Sequence, residues 1–103
     1  MQDKALAMLG MATKAGKVVS GEFSVEKAVK AGQAKVVVVA ADASANSKKQ
    51  YTNMCKFYKV PLYFISSKEE LGQALGKEYR ASLAVLDENM AKALMVKMED
   101  AKQ

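Results

Sequence analysis

The chain has 103 residues, enough for one hydrophobic core and too few for two, with half its residues hydrophobic and about a quarter charged. A single cysteine, Cys55, and no histidine exclude an internal disulfide, most zinc geometries and the commonest general base, and no paired constellation of Lys, Tyr, Asp or Glu replaces it. The net charge of +5 is uneven: residues 1 to 60 carry ten lysines against four acids, and residues 61 to 103 carry six bases against seven acids. The excess in the first part fits a face for a polyanion, although a lysine-rich solvated surface with one arginine reads the same way.

From Asp3 to Ala15, Leu6, Leu9 and Thr13 recur at helical spacing, with Ala5, Met8 and Ala12 beside them. This helix stops at Gly16, where a left-handed C-cap falls. A short β-branched run, Lys17-Val18-Val19, leads to Ser20-Gly21, and a second helix opens there and ends at Gly32, with Val25, Ala28 and Val29 on its buried side. A helix start has amides without internal partners, and Lys14, Lys17 and Lys27 stand around this one, so the corner suits an anion such as a phosphate backbone. Solvated helix starts also carry lysines, which is the plainer explanation.

Lys35 to Asp42 is a valine run without alternation, as expected of an inner strand covered on both faces. Asp42 or Ser44 then caps a helix whose stripe is Tyr51, Met54, Cys55 and Tyr58, with Lys48, Lys49, Lys56 and Lys59 on the wet side. Val60 to Ile65 is the next strand, with Pro61 at its beginning, where no ladder donor is lost. A capping box, Ser66 with Glu69 or Ser67 with Glu70, opens a short helix, and the adjacent Glu69 and Glu70 do not converge as an acid/base couple. After a turn at Gly76 to Ala81, a fourth strand from Ser82 precedes a last helix that buries Ala91, Leu94, Met95 and Met98. This alternation predicts an α/β fold, a three-layer α/β/α sandwich on a four-stranded mixed sheet, in one domain spanning residues 1 to 103. With no run of roughly 18–20 apolar residues and no signal-peptide order at Met1-Gln2-Asp3-Lys4, a cytoplasmic protein is expected.

The spaced pattern Cys55-x4-Val60-Pro61-x3-Ile65-x-Ser67-Lys68-x2-Leu71-Gly72 resembles the signature of the L7Ae/L30e superfamily of ribosomal proteins, whose members bind kink-turn RNA. Gly16-Lys17, Ser20-Gly21, Lys27-Ala28-Val29, the valine strand and Gly76-Lys77 with Arg80 agree in order, so the likeness covers about residues 4 to 98. Leu62 departs from it, since the aromatic usual after the proline comes one place later, at Tyr63. The resemblance is to the small bacterial members, and it implies an L30e-like fold and a non-enzymatic, RNA-binding protein without cofactor or metal, monomeric and ribosome-associated.

The resemblance also implies where RNA lies. A kink-turn is a duplex bent at a three-nucleotide bulge beside sheared G·A pairs, and the family lays the start of helix two in the widened groove there. Carried over by position, the contacts are Lys14, Gly16, Lys17, Gly21, Glu22, Phe23, Ser24 and Lys27, with Lys27 at guanine edges or phosphate. The Asn-Glu pair of the strongest binders falls on Phe23-Ser24, so direct readout is weaker; Phe23 packs on ribose or base, or staples the helix to the body. A second region, Tyr79, Arg80 and Ala81, meets the looped-out nucleotide, with Tyr79 either stacking on it or lying over the sheet end and Arg80 free to pair with Glu78 or Asp87. Two other functions compete: a protein-interaction module on the same fold, and the detached recognition domain of an RNA-modifying enzyme.

Overall fold

The valine run decides the architecture. In a computed structural model that describes residues 3–101, it forms β2 (Val36–Ala40), every residue of which is buried. The other elements are α1 (Asp3–Lys14), β1 (Val18–Ser20), α2 (Glu22–Lys30), α3 (Ala45–Tyr58), β3 (Leu62–Ile65), α4 (Lys68–Ala74), β4 (Ser82–Val85) and α5 (Glu88–Ala101). The strands lie in the order β1-β4-β2-β3, with β4 antiparallel to both neighbours and β2 parallel to β3. The sheet is therefore mixed, and its two inner strands are the ones whose residues are buried throughout.

Successive side chains of β2 point to opposite faces, which divides the core in two. Val36, Val38 and Ala40 pack with Leu9 of α1, Leu71 of α4 and Leu94 and Met98 of α5, while Val37 and Val39 pack with Val25 and Val29 of α2 and Tyr51 and Cys55 of α3. Each fully buried valine contributes about 1.5–3 kcal/mol relative to exposure. Helices thus cover both faces, giving the expected three layers.

Two local expectations, on α1 and on Tyr58, are corrected, and the choice left open for the cap of α3 is decided. The buried stripe of α1 is Ala5, Leu9 and Ala12, with Leu6 and Thr13 half-buried at its flank, and α1 also passes close to α4, where a Cβ on Gly10 would meet the Ala74 carbonyl oxygen at 3.3 Å. The cap of α3 is Ser44, whose hydroxyl accepts from the Ser47 amide, whereas Asp42 Oδ1 accepts from the Lys68 amide at 2.9 Å and so ties the end of β2 to α4. Tyr58 does not join the core: Tyr51 and Cys55 are buried and Met54 half-buried, but Tyr58 is turned out beside Phe57 at the end of α3. The Tyr51 hydroxyl is satisfied by Ser82 Oγ at 2.6 Å, which places the one polar residue of the inner strands against a partner.

Candidate nucleic-acid interface

Helix α1 ends in a Schellman arrangement, with the Lys17 amide donating to Ala12 O and the Gly16 amide to Thr13 O, so Gly16 and Lys17 turn the chain straight into β1. Pairing of Ser20 with Leu83 carries β1 to the edge of β4, and the Gly21 amide then donates to Ser82 O at 3.1 Å. Gly21 has φ 93° and ψ 154°, a region essentially closed to residues with a Cβ. A Cβ there would meet nothing within 4 Å, so the backbone conformation requires the glycine and its surroundings remain open.

Helix α2 begins on this corner without any side-chain cap hydrogen bond. Its first amides, at Glu22, Phe23 and Ser24, precede the first intrahelical donor, the Val25 amide on Gly21 O. The positive end of the helix dipole is thereby presented at the surface, and Glu22 is the acidic residue of that first turn. Lys14, Lys17 and Lys27 are exposed and take part in neither of the ion pairs, Lys30 with Glu26 and Lys92 with Glu88, seen among the described residues. Phe23 is 78% exposed, so it does not staple α2 to the body.

The second region is brought to the same corner. Arg80 Nε donates to Ser20 Oγ at 2.9 Å, its Nη1 donates to Tyr79 O, and its amide donates to Lys68 O. Arg80 therefore pairs with neither Glu78 nor Asp87, because its half-buried guanidinium is spent on joining the end of β1 to the segment before β4. Ala81, also half-buried, accepts from the Ala40 amide, which fixes the segment to β2. Tyr79 is 62% exposed, so its ring stands clear of the sheet end. Helix α4 supports the segment from behind, where Gly72 lies so close that a Cβ would sit 2.5 Å from Glu78 O and 2.8 Å from Tyr79 N.

The fold thus places Gly21, Glu22, Phe23 and Ser24 at the start of α2 and connects them through Ser20 to Arg80, Tyr79 and Ala81, whereas Lys14, Gly16 and Lys17 lie toward the other end of β1, where the Leu86 amide donates to Lys17 O, and Lys27 lies in the last turn of α2. Two contributors carry no signal of their own in the sequence: the partner of Ser20 lies 60 positions away, and the closeness of Gly72 to Glu78 and Tyr79 depends on how the turn after α4 folds back. Among the described residues, no group of three or more His, Cys, Asp or Glu side chains is placed to hold a metal ion, and no helix is long and apolar enough to cross a membrane.

The sequence profile of the ribosomal protein L7Ae/L30e/S12e/Gadd45 family matches residues 3–95. The chain belongs to this family. Among L7Ae/L30e relatives, it is 43% identical over 88 residues to a protein of Bacillus subtilis named RNA-binding protein YlxQ, covering 85% of this chain and 88% of that one. It is 29% identical over 108 residues to the large ribosomal subunit protein eL8 of Thermoplasma volcanium, covering 100% of this chain and 89% of that one. A solved structure from Bacillus halodurans, described as a protein with unknown function, superposes with a TM-score of 0.90 at 32% identity, over 93% of this chain and 97% of its own. The L7Ae/L30e fold expected from the spaced signature is therefore the fold of this chain.

Proposed function

We propose that this chain is a non-enzymatic RNA-binding protein that seats the bend of a kink-turn on the corner between β1 and α2. One observation carries the reading: the uncapped start of α2 is joined through the Ser20–Arg80 hydrogen bond to a segment that presents an exposed tyrosine, in a chain whose Lys14, Lys17 and Lys27 are exposed and in neither of the ion pairs seen among the described residues. One bent RNA can then touch both regions at once. The name of the Bacillus subtilis relative supports RNA as the partner, and that of the Thermoplasma volcanium relative makes ribosomal RNA the first class of target to examine. On this reading, residues 1 to 103 act as one domain, as a monomer in the cytoplasm.

The residues divide the work. Lys14, Lys17 and Lys27 neutralise phosphates, which fixes the position of the RNA and makes affinity depend on salt. Gly21 admits the backbone closely, and the free amides of α2 receive acceptors. Ser24 offers a single hydrogen bond where the strongest family binders carry a carboxylate, and Phe23, held out from the body, covers ribose or base. Tyr79 stacks on the nucleotide that leaves the helix, contributing about 1–3 kcal/mol. Shape rather than base-edge readout therefore dominates, since the deep groove of regular RNA is closed to side chains.

Isothermal titration of the purified protein with a kink-turn RNA, and with a control whose G·A pairs are replaced by Watson–Crick pairs, tests this. Much tighter binding to the kinked RNA is expected. Equal affinity for both rejects shape-specific recognition.

A further inference from the structure

Residues 43 to 68 hold five lysines, Lys48, Lys49, Lys56, Lys59 and Lys68, and no acid, which equals the net charge of +5 of the whole chain. All other residues together are balanced in charge, so the positive excess is concentrated on α3 and beside β3. On α3, Asn53 is one turn from each of Lys49, Lys56 and Phe57, and all four are exposed, Phe57 by 77%. They form the outward stripe of the helix, because Tyr51 and Cys55 take its buried side. None of the five lysines is in either ion pair among the described residues, and α3 itself carries no carboxylate. On its α2 side, a groove of about 500 Å³ separates Gln50, Asn53 and Phe57 from Glu22 and Glu26, and Glu26 is already held by Lys30 at 2.8 Å. On its other side, Lys48 Nζ stands 5.9 Å from the centre of the Phe64 ring on the edge strand β3.

We propose that the outward stripe of α3 is a second RNA-contact surface, which holds a single strand with Lys49 and Lys56 on phosphates, Asn53 on a base edge and Phe57 stacked on a base. Three properties select this occupant. A nucleotide carries a flat base and a phosphate one sugar apart, and Phe57 and Lys56, on either side of Asn53, offer an open ring and a cation to the two. Lys49 lies two turns from Lys56, about 10 Å along the helix, so one strand can follow the stripe from phosphate to phosphate. A regular duplex hides its base faces and would leave Phe57 idle, an acidic peptide backbone has no flat group for it, and a second copy of this chain would set lysines against lysines. The position of the helix adds a fourth argument. As the crossover between the parallel strands β2 and β3, α3 opens at the end of the sheet where the Ala40 amide donates to Ala81 O, and it runs from there to the start of β3. A strand leaving the Tyr79 segment thus comes onto α3. The proposal goes beyond the kink-turn reading, and its test needs no kink-turn.

The probe is a short fluorescein-labelled oligouridine, which has no guanine or adenine and so cannot form the G·A pairs of a kink-turn; its failure to bind would leave the kink-turn reading as it stands. Polyglutamate of the same length is the control for charge alone. Anisotropy gives affinity, and amide NMR shifts of the protein give the location. The expected result is that oligouridine moves the resonances of Lys49, Asn53, Lys56 and Phe57. Phe57→Ala should lower its affinity about tenfold, as loss of one stacked base does, and Lys49→Ala and Lys56→Ala should each reduce the slope of log affinity against log salt by about 0.7. All three side chains are exposed, so melting temperatures should not change, and the shift map of the parent protein depends on no variant. Absence of binding, shifts confined to the start of α2, full affinity in Phe57→Ala, equal affinity for polyglutamate, or the same shifts on raising protein concentration alone would each overturn the proposal.

Discussion

Arg80 and Ser20, 60 positions apart in the chain, are joined by a hydrogen bond of 2.9 Å that spans the end of β1 and the segment before β4. It is the link between the uncapped start of α2 and the exposed Tyr79. A partly buried bond of this kind contributes about 0.5–1.5 kcal/mol to stability. Arg80→Ala and Ser20→Ala are therefore each expected to lower the urea midpoint modestly and to weaken kink-turn binding. The double variant should lose less than the sum of the two, since each removes the same contact. Additive losses in RNA affinity would show that the two regions bind independently.

Lys17→Ala and Lys27→Ala should leave stability within about 0.5 kcal/mol of the parent, because both side chains are exposed and outside any ion pair among the described residues. Each is expected to weaken RNA binding and to reduce the slope of log affinity against log salt by about one unit. Binding measured over a salt series checks this, and unchanged slopes in both variants would remove the proposed phosphate contacts.

Two glycines should fail for different reasons. Gly72→Ala puts a Cβ onto the backbone at Glu78 and Tyr79, which cannot yield as a side-chain tip would, so a loss of about 1–3 kcal/mol is expected together with displacement of the Tyr79 segment. Gly21→Ala meets no neighbour but is strained at φ 93°, with an expected cost of about 1–3 kcal/mol. Thermal melts give both costs. Amide shifts separate them: Gly72→Ala should move resonances near Tyr79, and Gly21→Ala those at the start of α2.

Stability should fall on the alkaline side. Burial pushes the Cys55 thiol up to about 11, and a hydrogen bond to Glu99, with some burial, pushes the Tyr63 hydroxyl up to about 12. In both, the folded protein keeps a proton that the unfolded chain releases near pH 8.5 or near 10, the usual thiol and phenol values. Their contributions are therefore complete below those values and are lost as pH rises toward about 11 and about 12, respectively. Urea midpoints should fall progressively above roughly pH 9, and Tyr63→Phe should remove part of the loss in the upper portion of that range. A midpoint that rises with pH there would contradict the assignment.

Much of this was legible in the sequence, because the features concerned are local. The unalternating valines gave an inner strand, Gly16 the end of α1, and Ser67 with Glu70 the box that opens α4. The corner at Ser20-Gly21 was visible for the same reason, as a glycine before a helical stripe. What could not be read was set by distant neighbours. Asp42 looked as good a cap for α3 as Ser44 until α4 drew its carboxylate to the Lys68 amide. Arg80 had acids on either side in sequence and yet went to Ser20. The spacing of Tyr58 placed it on the core stripe of α3, but the helix ends at that residue and its ring is left outside with Phe57.

The most direct test of the candidate interface is an amide-resolved NMR titration of the protein with kink-turn RNA. Shifts are expected first at Glu22, Phe23 and Ser24, with Lys17, Lys27 and Tyr79 joining them, while the amides along α5 stay still. If the start of α2 is silent and the shifts collect on α5 or in the groove beside Phe57, the RNA sits elsewhere and the account of this corner is wrong.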